Sequence, residues 1–171
     1  MEKTVSEAIE FRRSVRKFDP SKEIDTKIVK KCIKNGVLAP NSSNLQLWEF
    51  YHITNQELLR KISKTCFNQS AASTAKQIVI TVVRKDLWKL RANKNIDFIH
   101  LKKKNLSTKQ YDLTQKYYKR VIPFVYKDFL GILGFFKYII SYIFGFFRVM
   151  YRQLRTTDTR IIAHKSAALA S

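Results

Sequence analysis

Glycine is scarce in this chain, with only Gly36, Gly131, Gly134 and Gly145 among 171 residues. That shortage excludes a G-x-G-x-x-G turn and a phosphate-binding P-loop, because both bring backbone close to a phosphate where a Cβ would intrude. A nucleotide cofactor, if there is one, has to be held by side chains. Cysteine is sparser still. Cys32 and Cys66 each sit in an apolar helical pattern, which implies neither a disulfide framework nor a metal site and suits a reducing cytosol. His52, His100 and His164 lack the spacing of a metal or triad site, and no nucleophile-elbow pattern occurs, so each reads as an ordinary surface or strand histidine. Met1-Glu2-Lys3-Thr4 runs straight into an amphipathic helix with no apolar stretch resembling a secretion signal, which points to a cytoplasmic setting.

Acidic residues are the third shortage. Thirteen Asp/Glu face 33 Lys/Arg, a formal charge of +20. Met1 to Pro40 carries ten basic and six acidic residues, whereas Arg84 to Arg120 carries twelve and three, so the excess sits in the middle of the chain. A patch of that strength can meet nucleic acid, anionic lipid or a phosphorylated cofactor. No helix-turn-helix, zinc knuckle or RNA-binding signature accompanies it, so no nucleic-acid partner is expected. Hydrophobic residues are not short: they make up 45% of the chain, enough for one domain that buries about 70% of its unfolded surface.

The periodicity predicts both helices and strands. Thr4 and Glu7 have capping-box spacing, and Val5, Ala8 and Ile9 continue as a helix to about Arg13. Ser14 to Phe18 reads as extended chain, and Pro20-Ser21 as a turn. Asp25 caps a second helix with Val29, Cys32, Ile33, Gly36 and Val37 as its apolar stripe, and Ile24 is placed to staple against Val29. Pro40 forces an exit. Trp48 to Ile53 follows as a strand, Asn55 caps a helix carrying Leu58, Leu59, Ile62 and Cys66, and the β-branched run Ile78 to Val83 predicts a strand buried on both faces. Asp86 to Arg120 reads as charged helix broken near Asn105 to Thr108. Thr159 to Ser171 predicts a helix with Ile161, Ile162, Ala168 and Leu169 on one face, stopping without a Gly, Pro or polar tail, which suggests a fragment of a longer protein.

Two polar stretches carry the candidate chemistry. In Arg12-Arg13-Ser14-Val15-Arg16-Lys17-Phe18, Arg12 and Arg16 share a side whether the segment is helical or extended. In the extended case Ser14 joins them, and two guanidinium forks with a hydroxyl make a cradle for a phosphate dianion. In Ala39-Pro40-Asn41-Ser42-Ser43-Asn44-Leu45-Gln46-Leu47-Trp48, amide and hydroxyl groups that both donate and accept can match the mixed edge of a flavin. A well-bonded structural loop is the other reading of that stretch.

In this order and spacing the two segments resemble the FMN-binding nitroreductase family. Its members begin with a helix ending in an Arg-x-Ser-x-Lys/Arg-x-Phe pattern, followed about two dozen residues later by a Pro-Ser-x-x-Asn-x-Gln-Pro-Trp-like loop. Here Asn41 stands for the commoner Ser, and Leu47 for the commoner Pro. Phe67-Asn68-Gln69 ahead of the strand Ile78 to Val83 sits where the family has a flavin-contacting Asn. The resemblance implies a nitroreductase-like α+β fold, with a central mixed β-sheet flanked by helices and incomplete at the C-terminus. It implies one domain over 1–171, with 86–157 as a variable, aromatic-rich helical insertion.

By the same resemblance Arg12, Ser14 and Arg16 hold the FMN phosphate and ribityl chain, Arg13 assists, and Asn68 reaches the isoalloxazine ring. Pro40, Asn41, Ser42 and Asn44 reach the flavin bound mainly by the other subunit of a homodimer. NAD(P)H then serves as reductant, and nitroaromatics, quinones or related small molecules as acceptors. The family's later Pro-x-Glu-Gly-like loop, its final strand with a basic residue on the phosphate and its C-terminal arm have no counterpart before Ser171.

A rival reading comes from Phe129 to Phe147, nineteen residues that are apolar or aromatic except for Lys137, Ser141 and three glycines. That is close to the roughly 20 residues that cross a bilayer. It could anchor a basic membrane-associated binding protein. A mid-segment Lys costs about 2.5–3.5 kcal/mol in hydrocarbon, so a buried lid or an interface helix pair is the preferred assignment. On either reading, contact with a membrane surface is conceivable.

Overall fold

The computed structural model describes residues 3–129, 132–148 and 154–171. The elements run α1 (Val5–Phe11), α2 (Thr26–Gly36), β1 (Trp48–Ile53), α3 (Gln56–Thr65), α4 (Ser70–Thr74), β2 (Ile78–Val83), α5 (Trp88–Leu101), α6 (Thr108–Lys116), α7 (Ile122–Tyr126), α8 (Ile132–Phe144) and α9 (Thr156–Ala170). The chain divides into two compact units. Unit 1 comprises 1–29 and 51–80, and unit 2 comprises 30–50 and 81–171.

In unit 1, the Thr4 side chain accepts from the Glu7 N–H, and the Glu7 carboxylate accepts from the Thr4 N–H at 2.7 Å, the predicted capping box. The helix ends at Phe11 rather than Arg13, because Arg12 already has extended ψ (131°). Asn55 caps α3 by accepting from the Leu58 N–H at 3.0 Å. The arm after α1 lies along the segment before β2: the Phe18 N–H donates to Thr74 Oγ1 at 3.0 Å, and Gln77 Nε2 donates to the Ile24 carbonyl at 2.5 Å. Ile24 and Val29, the predicted staple pair, both line a cavity of about 460 Å³ beneath that arm. Leu59 and Ser63, on one face of α3, are the buried residues described in this unit.

Unit 2 holds the core. Leu45, Leu47, Ala92, Ile122, Tyr126 and Ala163 pack together, and Trp48 packs with Ala167 and Ala170. Small residues on α9 let it come close to α2: a Cβ on Gly36 would run into the Ala170 carbonyl oxygen. The buried side of α9 is therefore Thr159, Ala163, Ser166, Ala167 and Ala170, while Ile161 and Leu169, placed by the sequence on one apolar face, are exposed. Close backbone approach selected the small face over the bulky one. Between α6 and α7 the helix widens into a π turn, Tyr117–Val121, just before Pro123. A proline ring clashes with the carbonyl four residues back, and the wider turn makes room for it.

β1 and β2 pair with each other, and among the described residues they form a two-stranded sheet. The pairing is antiparallel: Arg84, just after β2, donates to the carbonyl of Leu47, just before β1, while Gln77 meets His52 at the other end. The α+β class is as predicted, but the sheet is not mixed. Nor is β2 buried on both faces, since Val79 and Ile80 are exposed: two strands leave a face that more strands or helices would have to cover.

The break in the charged helical stretch falls at Lys102–Ser107, close to the predicted position. Among the described residues of the apolar run 129–147 there is a 13-residue helix, α8, whose outer face is exposed within this chain. Among the described residues no helix is long and apolar enough to cross a membrane. Leu130 and Gly131, within the predicted anchor, lie outside the described residues.

Candidate functional site

The predicted site residues fall into both units, and each group has its own local geometry. In unit 1, the early end of α1 leaves Arg12, Ser14 and Arg16 outside the helix, with Arg12 at an extended ψ of 131°. Arg12 Nη1 donates to Ser14 Oγ at 3.4 Å. Arg13 instead turns back: its Nη1 donates to the Glu10 carbonyl at 2.5 Å and the Arg12 carbonyl at 2.9 Å, closing the end of α1. All four are exposed, and among the described residues no ion pair engages Arg12, Arg13 or Arg16. Positive charge so placed is available for an anion.

Asn68 is the other predicted site residue of unit 1. It follows α3, where Phe67 and Asn68 both take left-handed φ (56° and 52°). The Phe67 N–H donates to the Lys64 carbonyl and the Asn68 N–H to the Ser63 carbonyl, the bond pair of a Schellman ending. Glycine normally occupies the first left-handed position, and a phenylalanine there is strained. Asn68 opens onto a cavity of about 360 Å³ shared with Arg60, Ser63, Lys64 and Ser73.

In unit 2, the loop from Pro40 to Gln46 alternates between surface and core. Pro40, Ser42 and Asn44 are exposed, while Leu45, Leu47 and Trp48 enter the core and fix the loop's base. Asn41 closes it: its Oδ1 accepts from the Gln46 N–H at 2.9 Å, and its Nδ2 donates to the Ala39 carbonyl. Ser43, Asn44 and Gln46 have left-handed φ of 57°, 48° and 48°. Side chains from the predicted insertion hold this strained shape. Tyr117 shares a 2.6 Å hydroxyl–hydroxyl bond with Ser43, the Tyr118 hydroxyl donates to the Ser43 carbonyl at 2.9 Å, and Asn95 Nδ2 donates to the Asn44 carbonyl at 2.9 Å. Burial, reinforced by the neighbouring Tyr117, pushes the Tyr118 phenol above its ordinary range, so it stays a donor.

The sequence reading missed Asn95, Tyr117 and Tyr118. The adjacent tyrosines were visible, but nothing local to them marked a loop seventy-odd residues earlier. Beside the clamp lies an apolar cavity of about 440 Å³ lined by Ser42, Ser43, Tyr117, Val121, Phe124 and Ile162. Its few hydroxyls among aliphatic and aromatic walls are the make-up of a small-molecule pocket.

Every non-glycine residue with left-handed φ among the described residues, namely Ser43, Asn44, Gln46, Phe67 and Asn68, lies in two of the three stretches assigned to the flavin, the exception being the arginine arm. The sequence profile of the Nitroreductase family matches residues 9–170. The chain belongs to the nitroreductase family.

A Staphylococcus haemolyticus protein that carries the provisional name NAD(P)H nitroreductase is 31% identical over 88 residues, covering 51% of this chain and 40% of that protein. The Synechocystis protein DrgA is 30% identical over 82 residues, 48% of this chain and 39% of that protein. Among solved structures, a Bacillus subtilis protein described as a nitroreductase superposes with a TM-score of 0.65 at 15% identity, covering 96% of this chain and 65% of that one. An Exiguobacterium sibiricum nitroreductase-type protein in complex with FMN superposes with a TM-score of 0.55 at 17% identity, covering 99% and 68%. At such identities the structures establish the fold, which is nitroreductase-like. The matched segments span about two fifths of the curated relatives' length.

Proposed function

We propose that this chain is the FMN-binding part of an NAD(P)H-dependent oxidoreductase that works as a homodimer and reduces nitroaromatic, quinone or related acceptors. The carrying observation is the coincidence of strained, non-glycine backbone with the stretches assigned to the cofactor. Such strain costs of order 1–3 kcal/mol per residue and persists where function requires a shape that the surroundings can enforce. A relative solved with FMN and another named for NAD(P)H lend the cofactor and reductant their support.

The residues suit the group. The Arg12 and Arg16 guanidiniums with the Ser14 hydroxyl take the phosphate and ribityl chain, Arg13 adds charge while closing α1, and Asn68 meets the ring edge. Pro40, Asn41, Ser42 and Asn44 reach the flavin of the second subunit, with Asn95, Tyr117 and Tyr118 fixing the loop that carries them. FMN, when bound, supplies the hydride chemistry, accepting from NAD(P)H and passing electrons to the acceptor. The chain's own task is to bind, orient and screen: no acid or base side chain is called on, and the apolar cavity beside Ser43 limits water. In this reading 1–171 is one nitroreductase-like domain with 86–157 as its insertion.

The test is direct. Purified protein should be yellow and release FMN on denaturation, and Arg12→Ala combined with Arg16→Ala should remove it. Colourless wild-type protein that takes up no added FMN contradicts the reading.

A further inference from the structure

Helix α8 is built inside out. Its small and polar side faces the protein: Gly134 and Ser141 are buried, and the Gly134 N–H donates to Asp128 Oδ1 at 2.9 Å. Lys137 turns inward to donate to the backbone carbonyls of Phe124 and Lys127, so its charge is withdrawn from the outer face. The Arg155 guanidinium lies 4.8 Å from the centre of the Tyr138 ring on the same inner side. The outer side carries Phe135 (56% exposed), Phe136 (56%), Ile143 (55%) and Phe144 (58%), and the following turn adds Phe146 and Phe147 above 80%. A contiguous aromatic face of this kind does not stay in water without a partner.

Charge decides among partners. From Lys116 to Arg160 there are nine Lys/Arg and two Asp, and Lys116, Lys119, Arg120, Lys127 and Arg148 are exposed. A second copy would bring the same excess of positive charge against itself, whereas an anionic lipid surface complements it. Thirteen residues make a helix of about 20 Å, too short for the roughly 30 Å hydrocarbon core but suited to lying flat. An exposed apolar face in a run flanked by the exposed Lys127 and Arg148 suits a helix that lies at a lipid interface. We propose that the outer face of α8, with Phe146 and Phe147, docks flat on an anionic lipid bilayer.

The full chain should float with vesicles of phosphatidylcholine and phosphatidylglycerol about tenfold more than with phosphatidylcholine alone, and added salt should reduce that preference. Phe136→Glu with Ile143→Glu should abolish flotation while leaving far-UV circular dichroism unchanged. Should that variant misfold, Phe146→Trp decides independently, since brominated lipid should quench the emission that the introduced indole adds. Absence of flotation, flotation indifferent to the double variant, added indole emission that brominated lipid leaves unquenched, or self-association through α8 that leaves the vesicles empty each overturns the proposal.

Discussion

The two units differ in what they bury. Eleven of the twelve buried hydrophobic residues described lie in unit 2, and Leu59 alone represents unit 1. Unit 1 leaves Val5, Ile9, Phe11 and Ile28 exposed on α1 and on the start of α2. Yet both units contain a strained polar turn. In unit 2 the strain is enforced by a packed base and three clamping side chains, whereas in unit 1 it sits at an exposed helix end. Holding a shape and offering charge are thus separate tasks, the first done by unit 2 and the second by the arginine arm of unit 1. That division is what the proposed homodimer would exploit, since exposed helices and exposed guanidiniums are what a second subunit and an anionic cofactor could cover.

The contrast can be broken most severely in the core. Leu45→Ala, at a fully buried site beneath the loop, should cost about 2–5 kcal/mol in denaturant unfolding, whereas Ile9→Ala on α1 should cost under about 0.5 kcal/mol in the protomer. If Ile9→Ala costs as much as Leu45→Ala, unit 1 has a covered face. Gly36→Ala should come next. Although alanine favours helix, its Cβ would meet backbone at Ala170, and a net loss of about 1–3 kcal/mol in the same assay is expected. In the opposite direction, Phe67→Gly should stabilise α3 by about 1 kcal/mol by releasing the left-handed strain, seen as a raised Tm.

The smallest effect is in pH. The Asp158 carboxylate accepts from the Arg155 guanidinium at 3.0 and 3.1 Å and from its backbone N–H, and these bonds, against the opposing pull of burial, hold it below the ordinary carboxylate range. A depressed folded value means the stabilisation is present above the unfolded value near pH 4 and is lost as pH falls through the lower folded one. Asp158→Asn should therefore cost about 0.5–1 kcal/mol at neutral pH and flatten the acid limb of the stability curve below about pH 4.

Local chemistry made much of this legible. The Thr4–Glu7 box, the Asn55 cap and both strands are short-range matters of capping and β-branching, and they stand where the sequence put them. What escaped depended on distant partners. The sequence grouped Ile161 and Leu169 on one apolar face of α9, but the close approach of Gly36 and Ala170 buries its small-residue side instead. Likewise Ile78 to Val83 had the composition of a central strand, but among the described residues only β1 pairs with it. In the candidate site, the polar loop and the arginine arm were readable because each is contiguous. The Asn95, Tyr117 and Tyr118 clamp was not, because its meaning lies in hydrogen bonds to Ser43 and Asn44, far away in the chain.

The central claim is that the arginine arm recognises a flavin through its phosphate. Titrating the protein with FMN and with riboflavin, followed by fluorescence quenching, tests it most directly. The account predicts FMN binding at least about tenfold tighter, as expected when a phosphate gains charge-assisted bonds, with the gap closing in the Arg12→Ala, Arg16→Ala protein. Equal affinity for the two flavins, or a gap that survives loss of both arginines, would contradict it.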